Sequence, residues 1–498
     1  MMKNTLHRAN QAQLELKKKV NDRFYPEFHL APPAGWMNDP NGLVFSRGIY
    51  HAFYQHHPYD QHWGPMHWGH MTSSDMIHWK HQPIALAPGD EYDRDGCFSG
   101  CAVEDNGVLT LIYTGHVWLK QPGDDSAIRE VQCLATSVDG INFSKQGVIL
   151  TPPEGIMHFR DPKVWRQDNR WYMVVGARTQ DNTGQVLLYS ADSLYQWQFE
   201  RVLASADNRS GYMWECPDFF RLGDKFMLMF SPQGVAAEGY RYRNLFQSGY
   251  LLGKWQPESE FVVEEAFQEL DGGHDFYAPQ SFLAEDGRRI IFAWMDMWES
   301  AMPSKKDFWA GCLTLPRELT LDAEGKVRMN PLRELENLRE DRHSLAPAIL
   351  SNQRYEFSLP VVTGELELTL DSKNSHAERY GLELAAGENG NYITRLYVDN
   401  QSRRLILDRG QSELGVTGYR SVPLPEEDLL ELRIFIDRSS IEVFVNQGES
   451  CLTSRIYPPA QGQALRLYAE NGSAQIIQCT HWTLGRIADQ GEVCNPHG

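Results

Sequence analysis

The sequence predicts an all-β chain, a five-bladed β-propeller followed by a C-terminal β-sandwich, on three observations. A loose repeat runs through roughly the first 330 residues, each repeat opens on a short motif, and the remainder alternates in short strands with no repeat. The unit openings read NDPNGLVF (38–45), CFSGCAV (97–103), RDPKVW (160–165), ECPDFF (215–220) and YAPQSF (277–282), about 60 residues apart. After each comes a polar turn and an apolar run: IYHAFYQHH (49–57), VLTLIYTG (108–115), RWYMVVGA (170–177), KFMLMFSP (225–232) and RIIFAWMD (289–296). A third element ending in an aromatic residue follows several of them, as in SSDMIHW (73–79) and SADSLYQW (190–197). Short strands repeated at a period longer than a hairpin stack as sheets around an axis, and five units give five blades. The innermost strand of each blade starts near that axis, so residues at the unit openings should converge on one mouth of the channel.

Other elements flank the repeat. Leu6, Ala9, Ala12, Leu16 and Val20 recur at helical spacing and predict a helical segment over residues 1–22, ahead of a propeller over 23–330. Residues 331–347, PLRELENLREDRHSLAP, are charged, carry leucines at helical spacing and end in proline, which predicts a helical connector. The sandwich is expected over 348–485, with a hairpin at 433–446 turning through 437–440, and a polar, frayed tail over 486–498.

Composition narrows the function. The 498 residues hold 47 Lys and Arg against 66 Asp and Glu, a net charge of −19, which disfavours nucleic acid and anionic membranes as partners. Fourteen tryptophans, 21 tyrosines and 22 phenylalanines suit both sugar stacking and an all-β core. The eight cysteines form no C-x-x-C pair, and Cys97 and Cys101 fall in one apolar run, so reduced, buried thiols are expected. The first 20 residues lack the apolar core of a signal peptide, and no run of about 18 apolar residues occurs, so a cytoplasmic protein is expected.

Three segments carry the chemistry: WMNDPNG (36–42), FRDP (159–162) and WECPDFF (214–220). Each sets one acid, Asp39, Asp161 or Glu215, in a turn flanked by proline, whose fixed φ stiffens the backbone beside the carboxylate. One Asp-Pro is an ordinary turn starter. Three such acids opening similar units, each beside an aromatic or a base, supply what glycoside hydrolysis needs: a nucleophile, an acid/base and a group that grips the sugar.

With these motifs in this order the chain resembles glycoside hydrolase family 32, the invertases, fructan hydrolases and sucrose-6-phosphate hydrolases. The resemblance covers nearly the whole chain. FHLAPPAGWMNDPNGL, HWGPMHWGH, GCFSG and GIMHFRDPKVW look most like the cytosolic bacterial sucrose hydrolases. It implies Asp39 as nucleophile, Glu215 as acid/base and Asp161 as transition-state stabiliser, with Arg160 keeping Asp161 ionised. The two working acids should then differ, Asp39 ionised and Glu215 protonated. It further implies a sugar pocket in which Asn38 and Gln55 hydrogen-bond fructose, Ser99 donates to a hydroxyl, and Trp36, Trp63, Phe98 and Trp294 form the walls. No cofactor is implied.

Eight histidines between His51 and His81 invite a metal reading, but His67-x-x-His70 lies in a Trp/Gly/Pro-rich loop without a cysteine or a helical partner. They are expected to line the pocket rim or satisfy buried polar groups. The expectation is a monomer or homodimer that hydrolyses sucrose. Within the chain's −19 charge, no basic cluster adjoins the acid motifs apart from Arg160, which favours free sucrose over its 6-phosphate. Rival readings are a fructan hydrolase or fructosyltransferase, an inverting five-bladed glycosidase, and a sugar-binding propeller without catalysis. That last reading predicts the loss of an acid, and all three are present.

Overall fold

A computed structural model of the chain describes residues 2–359, 362–386, 392–411, 414, 416–460 and 464–487. Five antiparallel sheets form the blades of a propeller and two further sheets form a sandwich. The innermost strands are Gly35–Ser46, Gly96–Asp105, His158–Gln167, Met213–Leu222 and Tyr277–Leu283. Each lies against the next in this order, and the fifth lies against the first. Blade one gains a parallel strand, Trp309–Ala310, so the chain returns from blade five to brace the blade it began with.

Burial explains the sequence pattern. A blade's second strand is covered on both faces by neighbouring blades, and Lys225–Gln233 accordingly reads as a near-continuous apolar run, almost wholly buried. Outermost strands such as Gln196–Ser205 see solvent and mix polar with apolar residues.

The helix Met2–Lys17 packs on blade one with Ala9 and Gln13 buried. It stops three residues short of Val20, which packs beside Phe24 and Tyr25 instead.

The connector differs from the helix expected over 331–347. Arg333–Leu338 is a 3-10 helix and Arg339–Leu345 is already a strand paired with Ser473–Leu484. Leu332, Leu335 and Leu338 are spaced by three, the repeat of a 3-10 turn, and all three are buried. Arg339 then stacks over Trp482, 4.1 Å from its ring centroid, and pairs with Glu365 and Glu367, which fixes the extended strand. The sandwich sheets thus begin at 339 rather than 348. The hairpin Leu429–Asp437 to Ser440–Val445 turns through Arg438 and Ser439.

The expected frayed tail begins later than 486. Ile487 is buried in the propeller core, and its carbonyl accepts from the Trp79 N–H at 2.7 Å. Residues 488–498 lie outside the described residues.

Buried ion pairs join the two units. Arg317 of blade five reaches Asp271 at 3.0 Å and Glu442 of the sandwich at 2.6 Å, all with fully buried side chains. Such charges are tolerated only when paired.

Candidate active site

Every innermost strand breaks its register at the motif: between Met37 and Pro40, Cys97 and Gly100, Arg160 and Lys163, Glu215 and Asp218, and Tyr277 and Gln280. The acids therefore sit in β-bulges rather than in the turns expected from the prolines. A bulge tolerates proline, which has no N–H for the ladder, and it re-aims side chains. Asp161, Cys216 and Ala278, each followed by proline, take positive φ of 69°, 49° and 52°, a conformation seldom adopted by non-glycine residues.

Two tiers of side chains result. Asp39, Ser99, Asp161, Cys216 and Ala278 hold the same place in the five bulges and meet around the axis. Ser99 Oγ donates to Asp39 Oδ2 at 2.7 Å, and the Cys216 thiol lies 3.4 Å from Asp39 Oδ2 and 3.6 Å from Asp161 Oδ2. The residue before each forms the second tier: Asn38, Phe98, Arg160, Glu215 and Tyr277. Glu215 is therefore not the counterpart of Asp39 and Asp161, as the three-acid pattern suggested; Cys216 is. Aligning the units on their prolines exposes this in the sequence.

Each acid is held by donors. Asn38 Nδ2 donates to Asp39 Oδ1 at 3.1 Å, and Asn38 is itself fixed by the Trp36 indole N–H at 2.7 Å. The backbone N–H of Cys216 donates to Asp161 Oδ2 at 3.0 Å. Glu215 accepts from Arg160 Nε (2.9 Å) on one oxygen and from Gln233 (2.9 Å) and the Tyr277 hydroxyl (2.5 Å) on the other. Arg160 also reaches Glu130 at 3.1 Å, so its hydrogen bonds bypass Asp161, contrary to expectation.

Burial, then the charge of Glu215, pushes the Asp39 carboxyl up. The same two causes push Asp161 well up, against the pull of Arg160. The site thus opposes ionisation of Asp39, because it is dry and already holds another carboxylate. Burial and the three acids raise the Cys216 thiol, which keeps it a donor. Burial opposes ionisation of Glu130, but Arg160 and His116 outweigh it and hold its carboxyl at about 2.

Asp39, Asp161, Glu215 and Glu130 line a cavity of about 360 Å³. Of the expected sugar contacts, Asn38, Gln55, Trp63, Phe98, Ser99 and Arg160 line it. Trp36 and Trp294 do not. Trp294 is fully buried behind the wall, and Trp298, stacked on Trp36 at 5.9 Å, takes its place. Glu130, His116, Tyr212, Arg178 and Trp298 were not singled out by sequence reasoning and carry no local motif. Beyond the axial prolines a larger cavity, about 1140 Å³, opens at the opposite end of the channel, and none of the three acids reaches it.

The histidines of 51–81 do not line the cavity. His56 links Gln13 of the helix (2.6 Å) to the Trp36 carbonyl (2.8 Å), His51 bonds His70 at 3.0 Å, and His67 bonds the Pro65 carbonyl at 2.9 Å. Among the described residues no group of three His, Cys, Asp or Glu could hold a metal.

Three carboxylates in distinct settings around a sugar-sized cavity at a propeller mouth define a glycoside hydrolase. The chain belongs to glycosyl hydrolase family 32: residues 29–331 match the N-terminal domain of that family and residues 334–483 its C-terminal domain. It is 60% identical over 485 residues to the sucrose-6-phosphate hydrolase of Escherichia coli, covering 97% of this chain and 100% of the relative. It is 58% identical to the raffinose invertase of Escherichia coli over 483 residues, again 97% and 100%. Among solved structures, the Bombyx mori GH32 beta-fructofuranosidase BmSUC1, as a mutant in complex with sucrose, is similar at a TM-score of 0.85 and 36% identity, covering 97% of this chain and 98% of that one.

Proposed function

We propose that the protein is a β-fructofuranosidase that hydrolyses sucrose to glucose and fructose by a retaining double displacement. The arrangement that carries this reading is Asp39 on the axis and Glu215 one tier outward, facing one cavity with different partners. Asp39 attacks the anomeric carbon of the fructosyl unit while Glu215 gives its proton to the glycosidic oxygen, and glucose departs. Glu215 then takes a proton from water, which attacks the same carbon and frees fructose and Asp39. Ser99, Asn38 and Cys216 aim Asp39, and Tyr277, Gln233 and Arg160 aim Glu215. Asp161, held by the Cys216 N–H, is left to grip fructose hydroxyls as charge develops on the ring.

The names of the relatives, a sucrose-6-phosphate hydrolase, a raffinose invertase and a β-fructofuranosidase solved with sucrose, support a β-fructoside substrate. The seven described cysteines are free thiols, which supports a cytoplasmic setting. Two displacements at one carbon retain configuration, so proton NMR should show β-fructofuranose as the first product. An initial α-product would rule out the covalent scheme.

A further inference from the structure

Arg178 is the cavity arginine that no carboxylate holds. Arg160 shares its charge with Glu215 and Glu130, whereas among the described residues no Asp or Glu oxygen lies within 4.0 Å of Arg178. Arg178 sits over Tyr212, 4.7 Å from the ring centroid, and its Nε and Nη2 both turn to one acceptor, Oδ1 of Asn182, at 2.9 and 2.7 Å. An aromatic face steadies a cation without neutralising it. Most of the guanidinium's donors therefore remain for a ligand.

Register sets its depth. Arg178 pairs with His158, two residues outward from the Gly176–Arg160 pair, and so stands about 7 Å nearer the mouth than the tier of Glu215, roughly one sugar ring. A leaving group protonated by Glu215 extends toward that level. His158 adds no charge at neutral pH, because burial and then Arg160 push its pKa down. Asp125, exposed on the same rim, is an acceptor for sugar hydroxyls and repels an anion, so the fixed attraction rests on Arg178 alone.

We propose that Arg178 is a specificity-determining residue that receives a phosphate monoester on the glucose half of the disaccharide. The proposal rests on the β-fructofuranosidase reading above. It revises the expectation that Arg160 is the only base near the acids: Arg178 lies beyond the FRDP motif on the next strand, and register brings it back. A guanidinium fork matches two phosphate oxygens, and a charged partner makes such bonds about twice as strong as neutral ones.

The test compares kcat/KM for sucrose-6-phosphate and sucrose in the wild type, Arg178→Gln and Arg178→Lys. The ratio of the two constants should fall about tenfold or more in the glutamine variant, be partly kept by lysine, and decline with ionic strength only where the cation remains. Inhibition by glucose 6-phosphate, relative to glucose, should weaken in parallel. A purely structural role would depress both substrates together and leave the ratio in place, which would overturn the proposal. So would a wild type that cleaves sucrose but not its phosphate ester, while the β-fructofuranosidase reading survived. Cleavage of neither sugar would remove that reading as well.

Discussion

Arg160 donates from Nε to Oε2 of Glu215, 2.9 Å away on the neighbouring blade, and not to Asp161, its own successor in the chain. The same guanidinium reaches Glu130 at 3.1 Å, a two-sided fork that an ammonium cannot reproduce. Arg160→Lys should stay folded yet lose about tenfold or more in kcat through misplacement of Glu215. Arg160→Gln should in addition lose stability, about 3–5 kcal/mol, because Glu130 is left buried with His116 and the Phe159 N–H but without its cation. Steady-state kinetics and denaturant melts of both variants check this, and a lysine variant with wild-type kcat would show that the fork does not position the acid.

Asp39→Asn keeps the volume and the Ser99 contact but removes the proposed nucleophile. Turnover should fall by several orders of magnitude, about 5 kcal/mol or more of barrier, with the circular dichroism spectrum unchanged. Glu215→Gln should be crippled on sucrose and recover on a fructoside whose leaving group needs no proton. Equal impairment on both substrates would remove Glu215 from the acid role.

The acid limb of the pH profile should lie higher than an ordinary carboxylate allows. Burial and then Glu215 raise the Asp39 pKa above 3.8. Falling pH therefore protonates Asp39 early, and kcat/KM should drop with a midpoint above that of an ordinary aspartate. Glu215→Gln deletes one cause, so with an activated fructoside its acid limb should shift to lower pH. An unmoved limb would show that Glu215 carries no charge while Asp39 titrates.

Much of this was legible in the sequence because the chemistry sits where the repeat does. Asp39, Asp161 and Glu215 open the first, third and fourth units, and the innermost strands bring unit openings to the axis. The prolines marked the right places but not the right geometry, since proline serves a bulge as readily as a turn. Cys216 is hard to see in the sequence because the acid of blade four stands one residue before the bulge position that Asp39 and Asp161 occupy. Glu130 and Arg178 reach the cavity only through strand register across a blade or between blades, which no local motif records. The connector was misread because leucines spaced by three suit a 3-10 turn as well as an α-helix.

The last prediction concerns the seam between propeller and sandwich. His29 lies between Asp437, 2.7 Å from Nδ1, and Glu442, which bonds Nε2, and all three side chains are fully buried. Burial alone would lower its pKa, but Glu442 and Asp437 outweigh burial and raise it to about 9. Arg317 also bears on Glu442 and, with His29, overcomes burial to hold that carboxyl at about 2, so the acid stays charged across the working range. Below pH 6.5 the imidazolium is protonated in folded and unfolded chains alike, and its contribution to stability is complete. Between 6.5 and about 9 the unfolded chain releases the proton while the folded one keeps it, so that contribution, about 3 kcal/mol, drains away. The urea midpoint of the wild type should therefore fall over this range, and His29→Gln should be less stable at pH 6 and lack that part of the decline. Parallel pH dependence in the two proteins would mean that the seam does not hold a charged histidine.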